Sequence, residues 1–364
     1  GIYKFQVYSL SFVNARIWLE LYRNQELVAS LYGYTLYDYA TAGNAVILFL
    51  SKDDVVWVKA HAGLEVILYG ASSEIYTTFS GIRLTDRVMT ANGISNNIAF
   101  SAVLTKHSVF HHGSTILYDK PLLNHGNGYK VDTGIFTAPR NGIYIFHFFS
   151  LAEIGSEICQ ELYHNSDYVC ALYGLTPRDW ANAGNTAILH LKLGDTAQIR
   201  ARGTNKLYGQ QNDIYSTFSG TLVATESPNV PLSSSSVAFS VGLSANTLVI
   251  QNSKVVFDRI FINLNTAYNG NTGVFTAPTE GMFEFNVHML GLSGQMAWLE
   301  LHHNHKYIIS LWSNPLTHDG FASNSTLIQL DAGDVVYVKV RDKRNFILYG
   351  RRDQIFCTFS GYLC

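Results

Sequence analysis

Gly1-Ile2-Tyr3-Lys4-Phe5 returns as Gly142-Ile143-Tyr144-Ile145-Phe146 and a third time as Gly281-Met282-Phe283-Glu284-Phe285. Downstream, Thr78-Phe79-Ser80-Gly81 returns as Thr217-Phe218-Ser219-Gly220 and Thr358-Phe359-Ser360-Gly361. The copies are offset by 139 or 141 residues, far more than the roughly 20–50 residues of a solenoid unit. A unit of that length can bury a core of its own. The 364 residues therefore divide into three like domains.

Within a copy the pattern is that of strands. Trp18-Leu19-Glu20-Leu21-Tyr22 places Leu19 and Leu21 on one face and Glu20 and Tyr22 on the other, Asn24-Gln25 supplies a turn, and Leu27 to Leu31 returns as a second strand. Asn165-Ser166 and Asn304-His305 occupy the same turn in the other copies. Val46-Ile47-Leu48-Phe49-Leu50 is apolar throughout, as expected of a strand covered on both faces. With 22 Tyr, 21 Phe and 29 Gly, and no long helical periodicity, the chain reads as all-β, a set of antiparallel sandwiches. The net charge of −2, with only 14% charged residues, makes no case for nucleic acid or an anionic membrane surface. No apolar stretch is long enough for a membrane-spanning helix.

The expected boundaries are 1–84, 98–223 and 237–364, joined by linkers 85–97 and 224–236. The second linker contains Pro228, Pro231 and Ser233-Ser234-Ser235-Ser236, a spacer composition. Ile98-Ala99-Phe100-Ser101-Ala102-Val103-Leu104 and Val237-Ala238-Phe239-Ser240-Val241-Gly242-Leu243 open the second and third copies, and the first copy has no counterpart of the 44 residues from Ile98 to Asn141. The expectation is that an N-terminal segment outside this sequence, or strands from another chain, completes it.

Ala238-Phe239-Ser240, the stretch from Phe275-Thr276-Ala277-Pro278 to Phe285, the hairpin Leu299-Glu300-Leu301, Ala322-Ser323-Asn324, Gly333-Asp334-Val335 and Thr358-Phe359-Ser360-Gly361 follow one another in order and recur in the second copy. Together they resemble the globular domain of the C1q family, whose jelly-roll sandwich is shared with tumour necrosis factor-like proteins. The resemblance implies trimers about a threefold axis, secretion, and binding rather than catalysis. For this chain it implies three tandem jelly rolls packed as a single-chain pseudo-trimer. Neither Gly-X-Y repeats nor apolar heptads supply the stalk usual in that family, and covalent linkage takes over the clustering of heads.

Several residues are candidates for more than scaffolding. Glu74, Asp213 and Asp353 precede the closing motif, where the resemblance implies calcium; convergent oxygens would suit such a cation, and solvated loop carboxylates are the alternative. Cys159 and Cys170 lie on opposite arms of one hairpin, either as a disulfide worth roughly 2–3 kcal/mol or as two buried thiols. Cys357 and Cys364 are too far apart along one strand, roughly 23 Å at ~3.3 Å per residue, to pair with each other. Cys364 is the candidate for an intermolecular bond. His302, His303 and His305, with His111 and His112, are read as exposed turn residues rather than metal ligands. Asn324-Ser325-Thr326 is a glycosylation sequon expected to stay unmodified in a packed turn.

The loops that differ among copies are Tyr34 to Tyr39, Thr176 to Trp180 and Asn314 to Phe321. Tyr37, Trp180 and Phe321 are the candidate ligand platforms. No nucleophile elbow, zinc spacing, phosphate loop or dinucleotide fingerprint occurs, so the chain does not read as an enzyme. The first functional expectation is a secreted recognition protein whose loops bind a glycan, a microbial surface or a protein partner multivalently. The alternative is an oligomerising building block of matrix, capsule, adhesive or biomineral. A signalling ligand of the wider superfamily ranks third.

Overall fold

The computed structural model describes residues 1–36, 38–84, 98–226, 236–341 and 344–364. The expected linker 85–97 and most of 224–236 lie outside the described residues, as does Tyr37. Nearly every element is a strand.

In the first repeat β1 (Ile2–Leu10), β2 (Ile17–Arg23), β3 (Glu26–Gly33), β4 (Thr41–Phe49), β5 (Val56–Ala60) and β6 (Thr78–Arg83) form two antiparallel sheets, β4-β1-β6 and β3-β2-β5. Phe5, Val7, Leu19, Leu21, Leu31, Val46 and Leu48 fill the space between them. The alternation dictates this, because every second residue of β1 and β2 must face the opposing sheet.

The second and third repeats build the same sandwich from larger sheets, two of five strands in the second repeat and one of five and one of seven in the third. Ala99–Val103 pairs with Thr217–Thr225, and Ala238–Gly242 with Thr358–Leu363. Those additional strands bury Phe218 and Phe359 completely, whereas their counterpart Phe79 is 49% exposed at the open side of the first sandwich. Thr217–Thr225 runs past residue 223, where the second domain was expected to end.

Each repeat is tied at one end by an asparagine in the left-handed region, Asn24, Asn165 and Asn304 (φ 53–54°), where Asn is tolerated better than most residues. Their side chains reach the aspartates of the neighbouring turn: Asn24 to Asp54 at 2.8 Å, Asn165 to Asp195 at 3.0 Å, Asn304 to Asp334 at 2.9 Å.

The three sandwiches close into a ring. β4, Asn182–Leu191 and Gly320–Leu330 carry Asn44, Asn185 and Asn324 at equivalent places, and each amide bridges to the next repeat. Asn44 Nδ2 donates to Ser30 and Tyr215 carbonyls, Asn185 Nδ2 to Ala171 and Phe356, and Asn324 Nδ2 to Ser310 and Tyr76. The acceptor side takes the hydroxyls of Thr217, Thr358 and Thr78 in the same order. First holds second, second holds third, third holds first: a single-chain pseudo-trimer of jelly rolls. Asn324 is fully buried in a strand rather than a turn, and the sequon nitrogen is committed to two carbonyls.

Along the ring's axis the three signature strands present equivalent residues that differ. Lys4, Ile145 and Glu284 form one layer; Gln6, His147 and Asn286 the next; Tyr8, Phe149 and His288 the third. Lys4 Nζ donates to Glu284 at 2.7 Å and to Tyr362 at 2.8 Å, with both charges 1% exposed. Gln6 Nε2 donates to Asn286 at 2.9 Å, and Ser325 donates to Gln6 Oε1 at 2.8 Å.

Two expectations are corrected here. Cys159 and Cys170 are not bonded. In their hairpin Cys159 stands opposite Tyr173 and Cys170 opposite Leu162, and the two thiols join different cores, Cys159 the third domain's and Cys170 the second's. Burial pushes the Cys159 thiol up to about 12. His302 is buried rather than exposed, stacked on Tyr337 and hydrogen-bonded to Glu300 at 2.9 Å.

Candidate functional site: a cavity at the crown of the ring

The segments between β3 and β4, between Asp167–Leu175 and Asn182–Leu191, and between Lys306–Ser313 and Gly320–Leu330 leave at the same end of the axis. Because each following strand runs beside the axis, ring closure brings the three loops together. They line one cavity of about 460 Å³, within the ~300–1,000 Å³ range of small-molecule sites. All three loops singled out for their divergence contribute.

Trp180 and Phe321 both line it. Trp180 is half-buried, edge-on to Tyr32 of the first repeat at 5.1 Å and to Tyr208 of its own at 5.8 Å, so interface packing holds its ring. Phe321 lies over His288. Tyr39 and Trp312 meet edge-on at 5.9 Å across the junction of first and third repeats. These contacts fix the aromatic walls before any ligand arrives.

Sequence reasoning missed the carboxylates, although their signal was visible: Asp38-Tyr39-Ala40 and Asp179-Trp180-Ala181 are the same Asp-aromatic-Ala unit in two copies. Asp38 is 8% exposed; its Oδ1 accepts from Tyr39 N at 2.7 Å and Trp312 Nε1 at 3.4 Å, while Oδ2 has no partner. Asp179 Oδ1 accepts from Trp180 N at 2.8 Å and Tyr32 Oη at 3.1 Å. Burial raises the pKa of both, opposed by these hydrogen bonds. Thr35 Oγ1 and Asn182 Nδ2 also end without partners, and both residues line the cavity. A buried polar atom without a partner costs roughly 1–3 kcal/mol. The crown is therefore poised for a ligand or water that donates to Asp38 and accepts from Asn182.

The expected calcium set is not brought together. Glu74 and Asp353 belong to different junctions of the ring, and each is held by an arginine from the preceding domain: Arg341 to Glu74 at 3.1 Å and Arg202 to Asp353 at 3.1 Å. Asp213 sits at the remaining junction, facing His61, which is bonded to Glu20 at 2.6 Å. Glu74 and Asp353 are thus each committed to a neighbouring domain's guanidinium, and no group of three His, Cys, Asp or Glu able to hold a metal occurs among the described residues. Of the remaining cysteines, Cys357 is buried and Cys364 half-buried at the end of the last strand.

The fold is thus a ring of three like jelly-roll domains closed around a threefold-like axis. The C1q domain family model matches residues 1–84, 99–223 and 238–364, and the chain belongs to that family. It is 30% identical over 129 residues to complement C1q tumor necrosis factor-related protein 6 of Rattus norvegicus, covering 35% of this chain and 49% of that protein. It is 34% identical over 128 residues to protein 3 of the same series from Mus musculus, covering 35% and 51%. The chain thus spans about half the length of the curated relatives it matches. Among solved structures it is similar to the globular domain of zebrafish complement 1qA protein (21% identity, TM-score 0.31, 35% of this chain and 99% of that one) and to Eiger TNF from S. frugiperda (17%, TM-score 0.31, 36% and 97%). No helix among the described residues is long and apolar enough to cross a membrane.

Proposed function

We propose that this chain is a secreted recognition head that binds the hydroxyl-rich end of a glycan, as displayed on a microbial or cell surface, in the crown cavity. The observation that carries this reading is the convergence of the three divergent loops on one aromatic-walled space with unpartnered buried polar atoms. Sugar rings offer apolar faces for Trp180, Tyr39 and Trp312, and hydroxyls that both donate to Asp38 and accept from Asn182. Membership of the C1q family supports a binding role. Single-site affinity would be modest, with strength gained where many heads meet a repetitive surface.

A glycan array probed with the whole chain, followed by titration of any sugar retained, tests this. Asp38→Asn and Trp180→Ala should each weaken binding at least tenfold while leaving the thermal transition of the ring within a few degrees for Asp38→Asn. Saturable glycan binding that both variants retain unchanged would move the site elsewhere.

A further inference from the structure

The three junctions of the ring are built from equivalent residues, and one junction lacks a ring that the other two possess. In the hairpins, Trp18 stands opposite Tyr32, Cys159 opposite Tyr173, and Trp298 opposite Trp312. Trp18 packs with Leu151 and Tyr215 of the next domain, and Trp298 with Leu10 and Tyr76 of its next domain. At the junction of second and third domains the corresponding partners, Leu290 and Phe356, meet Cys159 instead. A cavity of about 330 Å³ lies there, lined by Cys159, Tyr173, Leu290, Tyr349, Phe356 and Arg202.

The vacancy has a defined shape because the other junctions show what fills it. His61, Arg202 and Arg341 are equivalent, each donating its backbone N–H to the carbonyl of Trp18, Cys159 or Trp298. Trp18 stacks on His61 at 3.8 Å with 7° between planes, and the Arg341 guanidinium lies over the Trp298 ring at 4.2 Å. Arg202 is held in the same way as Arg341: its Nη1 reaches Glu161 at 2.8 Å and Nη2 reaches Asp353 across the junction, as Arg341 reaches Glu300 and Glu74. Those bonds lie in the guanidinium plane and leave its face available to a π-system. Among the described residues no aromatic ring covers that face.

We infer that the junction of second and third domains is a binding site for a planar aromatic small molecule of indole size. Its ring would take the place of the absent tryptophan, against the face of Arg202 and between Tyr173, Tyr349 and Phe356. Glu157 and Asp319 at the margin favour a heterocycle carrying an N–H donor. A cavity left where a side chain is missing keeps its walls when the surroundings are rigid and accepts a ligand of the missing shape. The rigid surroundings here are two complete sandwiches.

Indole and 5-fluoroindole are the probes, with the intact chain titrated by calorimetry and by fluorine NMR. Wild type should bind one equivalent saturably, Cys159→Ala should bind as well as wild type, and Cys159→Trp should lose at least tenfold in affinity and melt several degrees higher. Trp298→Cys, which opens the equivalent space at another junction, should raise the stoichiometry from one to two. Absence of saturable binding to wild type, or binding undiminished in Cys159→Trp, overturns the assignment. Should Cys159→Trp fail to fold, the stoichiometry of Trp298→Cys decides: two supports the assignment and one overturns it.

Discussion

His147 and His288 come from different domains and share one hydroxyl. Thr186 Oγ1 lies 2.9 Å from His147 Nδ1 and 3.0 Å from His288 Nε2. Burial depresses both: His147 well below the ordinary histidine range, with Lys4 3.5 Å from its other nitrogen adding repulsion, and His288 to about 3. Both stay neutral in the folded ring while the unfolded chain gains protons below about pH 6.5. The unfolded state then binds more protons, so stability falls as pH falls, by up to about 1.4 kcal/mol per pH unit for each histidine. Asp38 and Asp179, raised by burial, have the opposite sign and offset the loss only near carboxylate pKa values. Denaturant unfolding between pH 7 and 5 should therefore show a clear loss. His147→Gln, which carries the residue that Gln6 places at the equivalent position, should roughly halve the slope. An unchanged slope would show that other groups dominate the titration.

At the level of strands, the hairpins and their asparagine turns were legible because both signals are local: side-chain alternation sets the faces, and Asn24, Asn165 and Asn304 mark the reversals. The cysteine pairing was misread because distance from the turn was not counted. With His164 opposite Asp167, Cys159 lies further from the turn than Cys170, and the bulge after Leu162 adds one more step, so Cys159 faces Tyr173 and Cys170 faces Leu162. The Asn44, Asn185 and Asn324 positions were visible as a recurring motif, but their role depends on a neighbour about 171 residues away for the first two. Asn185 Nδ2 satisfies two carbonyls from two domains while its Oδ1 accepts from Thr358 at 2.6 Å. Asn185→Ala should cost about 2–3 kcal/mol, the scale of leaving such buried groups unpaired. Asn185→Asp should cost more, because a carboxylate would face the two carbonyl oxygens. Equal losses for both, measured by denaturant unfolding, would mean that Asn185 acts by shape alone.

Across the whole molecule, covalent linkage of three copies allows each face of the axis to diverge, and the innermost layer shows the consequence. Lys4, Ile145 and Glu284 occupy one level where three identical domains would place three ammonium groups or three carboxylates. Like charges in contact at low dielectric repel strongly, so neither the first nor the third domain can form such a trimer with its own kind. Mixed closure instead gives a 2.7 Å ion pair joined by Tyr362, with Ile145 beside it. This arrangement was not legible in the signature strands, where Lys4 and Glu284 look like ordinary alternation; their contact spans 280 residues and exists only after the ring closes. The desolvation of two buried charges offsets much of their attraction, and removing one partner is the damaging change. Lys4→Met should cost about 3–5 kcal/mol because Glu284 is left buried without its cation. Adding Glu284→Met to that variant should recover most of the loss, since Ile145 shows that the layer accepts apolar side chains. The exchange Lys4→Glu with Glu284→Lys tests orientation: it should fold but fall short of wild type, because Tyr362 and His147 are placed for a cation on the first strand. A double-mutant cycle by denaturant unfolding with coupling near zero would show that the pair does not select how the ring closes.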